Sequence, residues 1–170
     1  MRTLKTWAAA VGLTVSVATT AQAALVSLGD GTVKDTNTNR IWLQDWNRNG
    51  LGNWSTQMAW ADNLTFAGSS DWLLPSIDEY DALSTAYGNL RQVSDFTNVQ
   101  LGNYWSGTEI ITGGFAWVIF PANGLQLGDV EDRQLYAVAV RPATVPEPQT
   151  LALALMALGA TMVARRRRQA

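Results

Sequence analysis

The stretch Asp71-Trp72-Leu73-Leu74-Pro75-Ser76-Ile77-Asp78-Glu79-Tyr80 carries the reading of the fold. Residues 71–74 read as a short buried segment, and Pro75 ends it because proline brings no N–H to a ladder. Ser76 and Glu79 stand three apart. That is the spacing of a capping box, in which each side chain accepts from the other residue's backbone N–H at a helix start. Ile77, Tyr80, Leu83 and Tyr87 recur at helical spacing and predict one apolar face, with Gly88 placed to end the helix. Toward the N-terminus, a first helix is predicted from residue 53 or 55 to 64, turning Trp54, Met58, Ala61 and Leu64 to the core. Before it, residues 32–35 and 40–44 read as two short strands around the turn Thr36-Asn37-Thr38-Asn39. Toward the C-terminus, residues 89–103 read as irregular, and 104–108 and 115–120 as strands. Pro121-Ala122-Asn123-Gly124 reads as a hairpin turn, with residues 125–127 returning from it. Residues 129–134 read as a polar loop, and 135–141 as a last strand with Tyr136, Val138 and Val140 on one face. Two early helices followed by a hairpin-rich antiparallel sheet predict an α+β domain.

Both ends of the chain read as export signals. Arg2 and Lys5 precede an apolar run at 7–18, and Ala21-Gln22-Ala23 has the Ala-x-Ala form of a cleavage site. The mature chain is therefore predicted to begin at Ala24, after a signal peptide at 1–23. At the other end, Pro146, Glu147 and Pro148 lead into an apolar run at 150–164, which stops at Arg165, Arg166, Arg167 and Arg168. An apolar segment ended by arginines reads as a membrane stop with its charged end in the cytoplasm. The run of 15 residues spans about 22 Å as a helix, short of a bilayer core of roughly 30 Å. It crosses if the arginines reach to the interface or the bilayer thins. Residues 145–170 resemble the PEP-CTERM sorting tail. That resemblance implies an exosortase-type processing enzyme as partner and a transient inner-membrane anchor. It also implies delivery to the cell surface or extracellular matrix.

Between the signals lie residues 24–144, enough for one domain with a core of its own. The whole-chain charge of −2 conceals an acidic body, because half of the basic residues sit in the two signals. The body has six basic and thirteen acidic residues, a net −7, which argues against nucleic acid and against a polyanionic ligand unless charge is locally clustered. The chain has no cysteine and no histidine. Disulfides, zinc sites built on those residues, and Ser-His-Asp or Cys-His catalysis are thereby excluded. Seven of the eight tryptophans lie in the body (42, 46, 54, 60, 72, 105 and 117), a density that points to a surface site as well as a core.

The body also resembles a known family. Val33-Lys34-Asp35, Thr38-Asn39 and Ile41-Trp42 are similar to the opening of the Lcl C-terminal domain family. The family's Asp-Trp-Arg-Leu-Pro-Thr-x-x-Glu-Leu segment is matched by residues 71–80, and its Tyr-Trp-Ser-Ser-Thr strand by Tyr104-Trp105-Ser106-Gly107-Thr108. Its Ala-Trp-x-Val-x-Phe strand corresponds to residues 116–120, and its closing Tyr-Val-Arg-Cys-Val-Arg to residues 136–141. Two family cysteines correspond to Ala61 and Ala139, so their joint loss fits a bridge given up as a pair. The family arginine is Leu73 here. The resemblance implies a C-type-lectin-like architecture and a non-enzymatic glycan-binding or adhesive module of the exopolysaccharide matrix. The usual calcium-dependent sugar motifs of that fold are absent.

Sugar rings stack on aromatic faces while Asn, Asp and Glu bond their hydroxyls. The ligand-binding candidates are Asn103, Trp105 and Glu109 about one strand, and Asp129, Glu131 and Asp132 in the polar loop. For the tryptophans the competing reading is core packing, and for the acidic loop a solvated turn. No cofactor is expected, although the three loop carboxylates offer the oxygen donors that calcium takes. The other function classes are a structural matrix protein that self-associates as a homo-oligomer without a small ligand, and a two-carboxylate hydrolase. Asp78, Glu79 and Asp81 cluster for the latter, but a capping box and a solvated helix face account for them. The expectation is that the protein is not an enzyme.

Overall fold

Residues 24–110 and 113–143 are described by the computed structural model of the chain. The cleavage residues Ala21 and Ala23 lie outside these described residues. So do Pro146, Glu147, Pro148, the four arginines 165–168 and the apolar run before them. Among the described residues no helix is long and apolar enough to cross a membrane.

The domain is α+β, with two antiparallel sheets and two helices. The first sheet contains β1 (Leu25–Ser27), β2 (Thr32–Asp35), β3 (Arg40–Leu43) and β7 (Val140–Pro142), in that spatial order. It thus joins the beginning and the end of the described chain. The second sheet is a meander of β4 (Tyr104–Ile110), β5 (Phe115–Phe120) and β6 (Leu125–Val130). Helix α1 (Trp54–Asp62) and helix α2 (Ile77–Tyr87) lie between β3 and β4 in the chain.

Local chemistry explains each boundary. Asn53 caps α1 by accepting from the Thr56 N–H, and Ser76 and Glu79 close the predicted capping box on α2. Gly88 ends α2 at φ 70, a left-handed conformation that favours glycine. Asp35, wholly buried, organises the turn after β2. Its Oδ1 accepts from the Asn37 N–H at 2.9 Å and from the Tyr87 hydroxyl at 2.7 Å, and its Oδ2 accepts from the Thr38 hydroxyl at 2.6 Å.

The core draws side chains from both sheets and both helices, and its largest members are aromatic. Trp42 and Trp46 stack at 6.1 Å, and Trp46 also meets Tyr80, Phe96 and Tyr104. Burial raises the pKa of Tyr80, Tyr87 and Tyr104, because a phenolate is poorly solvated there. Ala61 and Ala139 are both fully buried, so each fills core space as a small side chain. Helix α1 turns Ala61 fully inward, while Trp54, Met58 and Leu64 pack half-buried against the core. Its buried Gln57 donates to the carbonyls of Gly50 and Leu135 and accepts from Asn49.

Two expectations are corrected, and one strand is added. The added strand is β1, only three residues long and held by pairing with β2 rather than by its own pattern. β6 extends to Val130, so Asp129 is a strand residue and the polar loop is shorter. Residues 135–141 are not one continuous strand. Their hydrogen bonds go to several partners: Leu135 to Gly52, Tyr136 to Asn103 and Trp105, Ala139 to Leu43, Val140 to Leu73. With Ala137, Val138, Ala139 and Val140 all buried, the segment threads the core and has no solvent face to alternate with.

Candidate functional site

The six sequence-predicted ligand residues do not converge on one hollow. Trp105 is 0% exposed, and its Nε1 donates to the Gly52 carbonyl at 3.1 Å. A ring so enclosed presents no face to a sugar, so its assignment to ligand binding is corrected to core packing. Asn103 precedes β4 and uses its carbonyl to accept from the Tyr136 N–H. Glu109 is exposed on β4 and pairs in register with Ala116, which in turn pairs with Asp129. Both carboxylates therefore belong to one face, but a whole strand separates them, roughly 10 Å at the usual interstrand spacing. Asp129 is 8% exposed; its Oδ2 meets Arg133 Nη1 at 3.1 Å and its Oδ1 accepts from the Val130 N–H. Glu131 uses its carbonyl to accept from the Trp54 N–H at the start of α1, and Asp132 is exposed. Among the described residues no three carboxylates are grouped to hold a metal ion.

Concave surface lies elsewhere, where β3, β7 and the first turn of α2 meet. Register brings the groups together. Arg40 opens β3 and pairs with Pro142 of β7, while Ile41 pairs with Arg141. On the other side of β7, Leu73 exchanges both backbone hydrogen bonds with Val140 at 2.9 Å, extending the sheet by one residue. The capping box holds Glu79 at this edge. Its Oε2 accepts from the Ser76 N–H at 2.8 Å, and its Oε1 meets Arg40 Nε at 2.6 Å.

Two adjoining hollows result, with Leu73 and Pro142 shared by both. One, of about 250 Å³, is lined by Arg40, Glu79 and Arg141 together with Leu74 and Gly107. The other, of about 340 Å³, is lined by Asp62, Ser70, Asp71 and the edge of Trp72. The groove is thus basic at one end and acidic with a hydroxyl at the other, around an apolar rib. Leu73, 53% exposed, forms that rib. Arg141 is 9% exposed, with its guanidinium carbon 5.3 Å from the Trp72 ring centroid. Two of the body's six basic residues therefore line one hollow, the local clustering that the net charge conceals.

None of the six predicted ligand residues lines either hollow. One signal for the groove was present in the sequence: Arg141 follows the apolar run 137–140, and a cation there needs a reason. Its meeting with Arg40 and Glu79 depends on tertiary pairing, which no local pattern encodes.

A family model described as the Lcl C-terminal domain matches residues 31–141. A second, described as the PEP-CTERM protein-sorting motif, matches residues 144–168. No curated protein matches the chain.

Proposed function

We propose that this chain, which belongs to the Lcl C-terminal domain family and carries a PEP-CTERM sorting motif, holds a saccharide non-catalytically in the groove beside Leu73. The sorting motif marks an exported protein with a C-terminal sorting signal handled by an exosortase-type enzyme. The destination we propose is the cell surface or the exopolysaccharide matrix, with the glycan there as partner. A C-type-lectin-like reading of the fold belongs to this proposal. It is supported by two helices between β3 and β4 in the chain and by first and last strands that share a sheet.

The observation that carries the reading is the groove itself. Convergent polar groups around an apolar rib are the ordinary make-up of a small-molecule site, and the two hollows together fall in its size range. Asp62 and Asp71 offer acceptors for hydroxyls, and Leu73 and Pro142 offer apolar surface to ring C–H groups. A binding role is favoured over hydrolysis because Glu79 is already committed to Arg40 and the capping box. A glycan panel, applied to the full-length chain with calcium and with chelator, tests the reading. Saturable binding to at least one saccharide is expected in both conditions; no binding across the panel by folded protein removes it.

A second reading, self-association in the matrix, is supported by the exposed apolar side chains of Phe115, Leu125, Leu127 and Val130 on β5 and β6. Among the described residues β6 pairs only with β5, and an unpaired strand edge invites a second strand. A sedimentation measurement in which Leu127→Lys dissociates an oligomer would favour it.

A further inference from the structure

We infer that the saccharide held in the groove carries a carboxylate, as a uronic acid does, and that Arg141 is the group that receives it. This rests on the saccharide reading above. The argument begins with an unbalanced charge. A guanidinium is a cation with five N–H donors and no acceptor, so burial takes a charge from water and leaves donors that need partners. It is more than nine-tenths buried, yet no carboxylate among the described residues pairs with it. Among the described residues its Nε is enclosed without an acceptor, and Nη1 reaches only the carbonyl of its neighbour Pro142, at 3.4 Å.

The one carboxylate of the same hollow is Glu79, and that group is already satisfied by Arg40 and by the Ser76 N–H. A buried cation that lacks its counter-charge is costly, and the cost is relieved when an anion arrives. Arg141 lines an open hollow, so the anion can come from outside. The Trp72 ring below the guanidinium fixes where its donors stand. A planar donor fork matches a planar carboxylate by paired hydrogen bonds.

The rest of the groove suits a sugar better than a bare anion. Beyond the Leu73 rib lie Asp62, Ser70 and Asp71, acceptors and a hydroxyl that repel a second anion but bond neutral hydroxyls. A chain in which acidic residues alternate with neutral ones would place a carboxylate over Arg141 and hydroxyls over the aspartates.

The test compares an oligosaccharide in which a uronic acid alternates with a neutral sugar with its methyl ester on the full-length chain in detergent, by calorimetry and by tryptophan fluorescence. The free acid is expected to bind at least tenfold tighter than the ester and to weaken as salt rises. Arg141→Met, which keeps an apolar stem over Trp72, is expected to lower the acid to the level of the ester. Equal binding of acid and ester overturns the carboxylate inference and leaves the saccharide reading standing. Binding of neither overturns the carboxylate inference, and no binding across the wider glycan panel overturns the saccharide reading with it. Equally tight binding of a short peptide through its C-terminal carboxylate would also overturn the inference, by making the ligand a peptide end. The acid-to-ester comparison needs no variant, so a poorly folded Arg141→Met does not blunt it.

Discussion

Replacing Glu79 by alanine removes two supports of the groove at once, and the structure sets how much each is worth. The Oε2 bond to the Ser76 N–H, 2.8 Å long, is half of the capping box on α2, and losing such a cap costs about 1 kcal/mol. The Oε1 contact with Arg40, at 2.6 Å, joins side chains 19% and 35% exposed. Solvent screens such a pair, so about 0.5–1 kcal/mol is the appropriate allowance. The sum is close to 2 kcal/mol. For a domain of this length, at about 4 °C per kcal/mol, Glu79→Ala should lower the melting temperature by roughly 8 °C. Glu79→Gln separates the two parts, because an amide oxygen still accepts from Ser76 while the charge is gone. It should lose only about 2–4 °C. Thermal unfolding followed by circular dichroism at neutral pH measures both. If Gln proves as damaging as Ala, or if neither moves the transition, the cap and the ion pair do not hold this edge as argued.

The remaining predictions concern the core and the groove wall. Burial keeps Tyr80, Tyr87 and Tyr104 protonated in the folded state above about pH 10, where an unfolded chain gives those protons up. Stability should hold below that pH and fall as pH rises beyond it, and tyrosinate absorbance should appear together with loss of ellipticity; three tyrosines ionising freely in a folded chain would contradict this. Trp105→Phe removes the bond to the Gly52 carbonyl and part of the ring volume, so a loss of about 2–3 kcal/mol is expected from the urea midpoint, with saccharide affinity unchanged. A Cβ at Gly107 would lie 3.0 Å from the Leu74 carbonyl oxygen in the groove wall. Gly107→Ala should therefore destabilise by about 1 kcal/mol or more and weaken saccharide binding, as calorimetry would show.

Local signals in the sequence were reliable where they act locally. Ser76 and Glu79 announced a helix start, and Pro121 to Gly124 announced a hairpin, because caps and turns are satisfied by residues a few places away. The run 135–141 reads as one strand because Tyr136, Val138 and Val140 alternate along it. Both of its faces are buried, and its partners come from four distant parts of the chain. The same limit governs the site. Trp105 was attractive as an aromatic in a polar sequence, but its burial is decided by the loop at Gly52, 53 residues away. Asp129 read as a loop carboxylate, and strand pairing turned it against Arg133. Arg40, Glu79 and Arg141 lie far apart in the chain, and only the meeting of β3, α2 and β7 makes them neighbours.

The central claim is that a saccharide sits beside Leu73, and Leu73→Glu tests it most directly. Leu73 is half exposed and gives only its backbone to the sheet, so the longer side chain should leave the fold intact while filling the groove and repelling an acidic sugar. The measurement is binding of the wild-type chain and of Leu73→Glu to a saccharide that the panel identifies. The account predicts saturable binding by the wild type and at least a tenfold loss in the variant at unchanged melting temperature. Undiminished binding by a folded Leu73→Glu chain would place the ligand elsewhere and contradict it.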